Sequence, residues 1–275
     1  MDKVRRNERI GTMVNILCSH PNEIFTLNYF SDMFNTAKST ISDDVVIIKD
    51  LLTRFQLGDV ETVVGAAGGV KFISRLFEDD EIFIKDICNE LSSPDRILPG
   101  GFLYITDILF IPGVVERFGN ILATQFYDAR PDFVITVETK GIPIALATAR
   151  ALNCPVVMAR RESKVTEGST ISINYVSASS RRIQTMSLVK RAVEKGQRGL
   201  IVDDFMKGGG TVRGLMELLH EFEAEIAGVG VIISTEDPGQ KMVKDYKSLM
   251  VLKDVDEGER KVMVEPSPWL KGLIN

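Results

Sequence analysis

The sequence predicts an α/β fold in two unlike parts: a three-helix unit closed by a hairpin, then a parallel sheet covered by helices. Apolar residues recur at helical spacing in three successive stretches before Gln56. From Phe133 onward, short apolar runs alternate with amphipathic ones. Between them in character is Ile201-Val202-Asp203-Asp204-Phe205-Met206-Lys207-Gly208-Gly209-Gly210-Thr211, which joins an apolar strand, two adjacent acids, a glycine loop and a helix start.

In the first part, Ile10, Met13, Val14 and Leu17 share one face of a helix that stops at His20-Pro21. Leu27, Phe30 and Phe34 mark a short second helix. A third begins near Lys38-Ser39-Thr40 and carries Ile41, Val45, Ile48, Leu52 and Phe55 along one side. Only Asn35-Thr36-Ala37 separates the second from the third, the tight connection of a helix-turn-helix. Glu61-Thr62-Val63-Val64 and Val70-Lys71-Phe72-Ile73 then flank Gly65-Ala66-Ala67-Gly68-Gly69 as a hairpin. Three helices and a hairpin make a winged helix-turn-helix, whose third helix enters the DNA major groove. Lys38, Ser39, Thr40 and Ser42 are then expected to face DNA, with Arg5, Arg6 and Lys71 on phosphates. Residues 1–74 hold eight Lys/Arg against nine Asp/Glu, a balance of -1, which is acidic for a DNA reader. A small dimerisation or protein-docking module fits the same pattern.

The second part, residues 75–275, follows an acidic joint at Glu78-Asp79-Asp80. A helix is expected to about Leu91, broken by Pro94, Pro99, Gly100 and Gly101. Strands are expected over 133–137, 155–158, 200–203 and 226–233, and helices from Ile142, over 187–194 and from Val212. Residues 249–264, with Glu257-Gly258 between two strands, read as a closing hairpin. Residues 163–186 lack apolar periodicity and read as either a lid over a ligand or an exposed loop.

Composition narrows the function. With 44% hydrophobic and 26% charged residues, no apolar run long enough to span a bilayer and no leader pattern, the chain reads as a globular protein of the cytoplasm. Cys18, Cys88 and Cys154 are odd in number and widely spaced, so neither a disulfide framework nor a zinc site is expected. Two histidines, His20 and His220, argue against a histidine metal centre or a Ser-His-Asp triad. No G-x-x-x-x-G-K-[ST] occurs, which excludes a P-loop.

The chemistry gathers at the strand-to-helix turns, since ligands of parallel sheets sit at the carboxyl ends of strands. Gly208, Gly209 and Gly210 allow the backbone close to an anion, and Thr211 can cap the helix and donate its hydroxyl to phosphate. Asp203 and Asp204 would repel phosphate, so they suit sugar hydroxyls or Mg²⁺ held through water. Glu138-Thr139-Lys140-Gly141 is a second such turn, and Arg160-Arg161 ends another strand in two cations. Phe205 lies beside the acids, while Phe102 is either a stacking platform or core.

The segment Ile201 to Thr211 resembles the binding signature of type I phosphoribosyltransferases. That resemblance implies that the acids hold the ribose hydroxyls of phosphoribosyl pyrophosphate and the loop takes its 5′-phosphate. It makes Thr139, Lys140 and Gly141 the pyrophosphate loop, and Arg160 (or Arg161) and Lys164 the cations beside it. Preceded by a helix-turn-helix, and with Gly100-Gly101, Lys164 to Ser169, Ile173 to Ser177, Arg182 to Leu188 and Asp203 to Lys207, nearly the whole chain resembles the purine operon repressor family of low-GC Gram-positive bacteria. Membership implies a dimeric, non-catalytic regulator that binds operator DNA of purine genes. Phosphoribosyl pyrophosphate would be its effector, with a guanosine polyphosphate competing in some members. An active purine phosphoribosyltransferase with an appended docking module is the alternative, and a nucleotide-binding protein that docks to another protein is a third.

Overall fold

Residues 4–65, 68–161, 168–176 and 183–271 are described by the computed structural model of the protein. The chain divides into Met1–Leu76 with Arg150–Asn153, and Phe77–Ala149 with Cys154–Asn275. No helix among the described residues is long and apolar enough to cross a membrane.

The first unit comprises α1 (Arg6–Ser19), α2 (Leu27–Phe34), α3 (Lys38–Arg54), β1 (Asp59–Val63) and β2 (Gly69–Ile73). Thr26 caps α2 by accepting from the Tyr29 amide at 3.1 Å. Asn35 ends that helix in the left-handed region, φ 46° and ψ 55°, where an asparagine side chain is tolerated and the chain can reverse into α3. Met13, Leu17, Phe30, Ile41, Ile48 and Leu52 interlock with Val60, Val70 and Phe72 of the hairpin that follows. Each such side chain taken fully from water contributes about 1.5–3 kcal/mol. β1 and β2 pair antiparallel, and Phe25 adds a third extended segment by exchanging backbone bonds with Val70 at 2.9 and 2.8 Å. Inside this core Asp44, 0% exposed, accepts from Arg9 Nε at 2.7 Å and from Arg6 Nε at 3.0 Å, tying α1 to α3. Phe55 was expected on the buried stripe but stands 60% exposed just past the end of α3, with the Arg54 guanidinium 5.1 Å above its ring.

The second unit contains α4 (Glu78–Leu91), β3 (Ile97–Leu98), β4 (Phe102–Leu103), α5 (Pro112–Ala123), β5 (Phe133–Val137), α6 (Gly141–Leu152), β6 (Val156–Ala159), β7 (Thr170–Val176), β8 (Ile183–Val189), β9 (Arg198–Met206), α7 (Gly210–Glu221), β10 (Glu225–Thr235), β11 (Lys247–Asp256) and β12 (Lys261–Pro266). Six strands form one sheet in the order β12-β11-β10-β9-β5-β6, parallel except for the last strand, β12. On one face Val212, Leu215 and Leu219 of α7 pack with Ile135, Ile201 and Val231, and with Tyr175, Met186 and Leu188 of the β7–β8 hairpin. On the other face Gly230 makes room for Leu122 of α5, since a Cβ there would lie 2.8 Å from that side chain.

The helix expected over 187–194 is not formed. β8 continues through Ser187 to Val189, followed by one 3₁₀ turn at Lys190–Ala192. Tertiary pairing outweighs local helix propensity here: Ser187 exchanges backbone bonds with Arg160 at 2.7 and 2.9 Å, and Met186 and Leu188 are buried while Ile183 is 75% exposed. The described residues of the stretch read as a lid or loop, 168–176 and 183–186, are therefore for the most part an antiparallel hairpin; residues 162–167 and 177–182 lie outside the described set. Residues 249–264 do close as a hairpin, but β11 also joins the parallel sheet beside β10.

Candidate functional site

The sheet order reverses between β5 and β9: chain order runs outward from β5 to β6 on one side and from β9 through β10 to β11 on the other. Helices following such neighbours lie on opposite faces, which opens a crevice at their carboxyl ends. β5 pairs with β9 only as far as Ile135 opposite Ile201, whereas β9 stays paired with β10 through Met206. The two strands thus part company just before Asp203. A cleft of about 850 Å³ occupies this end of the sheet, lined by Lys140, by Asp203 to Val212, by Leu98 to Leu103 and Ile105, and by Thr235, Asp237 and Leu252 to Val255.

The glycine loop is held from outside. Met242 donates its amide to the Gly208 carbonyl at 3.0 Å, and Thr235 Oγ1 reaches the Lys207 carbonyl at 3.4 Å. Gly209 adopts φ 82° as the residue before α7. The first amides of α7 have no intrahelical acceptor, so the loop offers donors and the positive end of a helix dipole to the cleft.

Asp203 and Asp204 sit on the strand itself rather than in the loop. Asp203 is 7% exposed, and its carboxylate accepts from the Asp204 amide at 2.9 Å. Burial pushes the Asp203 carboxyl well above the ordinary carboxylate range, and the neighbouring Asp204 charge pushes it further, against a smaller opposing pull from Arg161. A carboxyl whose folded pKa is raised contributes stability fully below its unfolded pKa, about 3.9, and that contribution is lost as pH rises. Asp203→Asn is therefore expected to raise the unfolding temperature of the unliganded protein at neutral pH, with a gain that shrinks on acidification. A gain independent of pH across a thermal-melt series would remove burial of charge as its cause.

The second turn comes close to the first through Gly141. A Cβ there would lie 2.2 Å from Thr136 Oγ1 and 3.3 Å from Asp203 Oδ1. Gly141→Ala is expected to cost about 1–3 kcal/mol, as overpacking of a filled site does. An unchanged denaturant midpoint would contradict this close approach. The Glu138–Thr139 peptide is cis. Glu138 accepts from the Arg161 amide at 3.1 Å and lies 3.5 Å from an Arg160 guanidinium nitrogen.

Of the residues expected to hold ligand, Phe102, Lys140, Asp203, Asp204, Phe205, Lys207, Gly208, Gly209, Gly210 and Thr211 line the cleft together. Glu138, Thr139, Gly141 and Arg160 lie in the adjoining turn and strand end and are not among its lining residues. Lys164 falls outside the described residues. The lining adds the β3–β4 hairpin, whose signal was the Pro99-Gly100-Gly101 break, and the ends of β10 and β11. The carboxyl-end rule identifies those ends once strand order is known. Among the described residues no three His, Cys, Asp or Glu side chains gather as a metal cage. The two adjacent carboxylates suit Mg²⁺, which keeps several waters and shares ligands with phosphate.

On the first unit, Lys38, Ser39 and Ser42 are exposed at the start of α3, Thr40 is half-buried, and Arg5 is exposed before α1. Arg6 is exposed but paired with Asp44. Lys71 Nζ donates to Asn22 Oδ1 at 2.7 Å, and its side chain is only 20% exposed.

Comparison with known proteins adds two matches along the chain: residues 5–74 to the family described as "Bacterial purine repressor, N-terminal", and 109–267 to "Phosphoribosyl transferase domain". The "Purine biosynthesis transcriptional repressor PurR" of Bacillus subtilis is 46% identical over 270 residues, spanning 98% of this chain and 95% of its own. The "Purine biosynthesis transcriptional activator PurR" of Lactococcus lactis subsp. lactis is 41% identical over 263 residues, spanning 95% and 97%. In fold, the chain is similar to an adenine phosphoribosyltransferase from Thermoanaerobacter pseudethanolicus, with TM-score 0.51 and 20% identity over 60% of this chain and 96% of that one.

Proposed function

This chain belongs to the bacterial purine repressor family, and on that premise we propose that it is a DNA-binding regulator of purine biosynthesis genes whose hold on DNA is set by phosphoribosyl pyrophosphate. The observation that carries the reading is the convergence, in one cleft, of the α7 amide cradle, the Asp203–Asp204 pair and Lys140. In this reading the amides of Lys207 to Thr211 take the 5′-phosphate. Asp203 and Asp204 accept from the ribose hydroxyls, and Thr139, Lys140 and Gly141 hold the diphosphate with Mg²⁺. Phe205 and Phe102 flank the sugar. A guanosine polyphosphate presents the same phosphate and ribose groups and would compete.

Lys38, Ser39, Thr40 and Ser42 are the groove-facing residues, with Arg5, Arg6 and Lys71 on the backbone; Arg6 and Lys71 must first exchange the partners they hold in free protein. A homodimer would present two readers and double their charge. The effector shifts DNA affinity by its differential affinity for the DNA-free and DNA-bound states. Relatives carry both names, repressor and activator. The sign of control is therefore assigned to operator position relative to the promoter rather than to this chain's chemistry.

Gel shifts on DNA upstream of purine genes, with and without phosphoribosyl pyrophosphate, test the reading. Binding that ignores the metabolite would refute its sensing half. Arg5→Ala is expected to weaken DNA binding across sequences and to lower the log–log salt slope by about one; an unaltered slope would remove Arg5 from the phosphate contacts.

A second reading, a transferase, is favoured by the "Xanthine phosphoribosyltransferase" of Lactococcus lactis subsp. cremoris, 30% identical over 158 residues that span 56% of this chain. Incubation with phosphoribosyl pyrophosphate, Mg²⁺ and each purine separates the two. We expect no release of pyrophosphate.

A further inference from the structure

Thr136 occupies the penultimate position of β5, is 0% exposed, and its hydroxyl has no hydrogen-bond partner among the described residues. Buried hydroxyls are nearly always paired, and an orphan is costly in the folded state. Its surroundings indicate what it waits for. A Cβ on Gly141 would lie 2.2 Å from Thr136 Oγ1 and 3.3 Å from Asp203 Oδ1, so the hydroxyl and the carboxylate flank the same point at the start of α6. Asp203 has the complementary need, because burial and the Asp204 charge both disfavour its ionised form. Arg161 acts on it in the opposite sense, favouring ionisation, and the Asp203 charge in turn reaches the Tyr175 phenol, which burial pushes up. Lys140 lines the same cleft.

We propose that Thr136 is a positioning residue for Asp203: when the Thr139 to Gly141 turn closes on a diphosphate, the Thr136 hydroxyl donates to the Asp203 carboxylate and holds it ready to accept from the ribose. The proposal rests on the cleft being the phosphoribosyl pyrophosphate site. A donor supplied only in the closed state strengthens binding without stabilising the free protein, so affinity and stability separate. Valine keeps the shape of threonine and cannot donate, whereas serine keeps the hydroxyl.

The test is calorimetry of the full chain with phosphoribosyl pyrophosphate and Mg²⁺ on wild type, Thr136→Val and Thr136→Ser. Thr136→Val should bind about tenfold more weakly, the worth of one hydrogen bond to a charged group. Its unliganded unfolding temperature should be no lower than that of wild type, and Thr136→Ser should keep wild-type affinity. Wild-type affinity in the valine variant, or equal losses in both variants, would overturn the role of the hydroxyl alone. A wild-type chain that gives no binding heat would overturn the reading of the cleft and this proposal with it.

Discussion

Replacing Asp203 and Asp204 together by alanine is expected to weaken phosphoribosyl pyrophosphate binding by about 10²–10⁴-fold. Each carboxylate accepting a sugar hydroxyl contributes about 1.5–3 kcal/mol, and both are lost together. Two effects pull toward the lower end. Removing two negative charges relieves repulsion of the diphosphate, and removing the buried Asp203 carboxyl frees the site of a group whose ionisation burial opposes. The residues proposed to face DNA lie in the first unit, so operator binding without effector should persist. Gel-shift titration reads both quantities at once. A double variant that still releases or engages DNA at the wild-type concentration of metabolite would remove the acids from the effector site.

Asp44→Ala is expected to destabilise the first unit by about 3–5 kcal/mol, because it leaves the buried Arg9 guanidinium without its counter-charge. Against a typical total of about 5–15 kcal/mol for a domain, that is enough to lose much of the folded reader at elevated temperature. Urea titration should show the loss, accompanied by failure to bind DNA and by retained heat of effector binding. Replacing both partners with apolar residues, Arg9→Met with Asp44→Leu, should recover most of the stability, since an apolar pair leaves no charge unpaired. Equal instability of the single and double variants would show packing rather than charge to be at stake.

The cleft was largely legible in the sequence because its main piece is contiguous: β9, the acids, the glycine loop and α7 follow one another without interruption. The Glu138 to Gly141 turn was legible for the same reason. What escaped was assembled by pairing. The β3–β4 hairpin has strands of two residues each, too short for any periodicity. The contribution of β11 depends on its lying parallel to β10, which no local pattern states. Residues 187–189 looked helical because Leu188 and Val189 lead into Ala192 and Val193, while the backbone bonds to Arg160 that make them a strand come from far along the chain. The helix α5 did carry a local signal, Pro112 at its first position and Val115, Phe118 and Leu122 at helical spacing, and it formed where no element had been expected.

The parting of β9 from β5 after Ile201 has a consequence for how such a molecule can change. Gly199 to Ile201 are locked between two neighbours and answer to architecture, while Asp203 to Met206 lean on β10 alone and answer to whatever occupies the crevice. Descendants could therefore rewrite that overhanging tip, and with it the signal they heed, while leaving the scaffold underneath undisturbed.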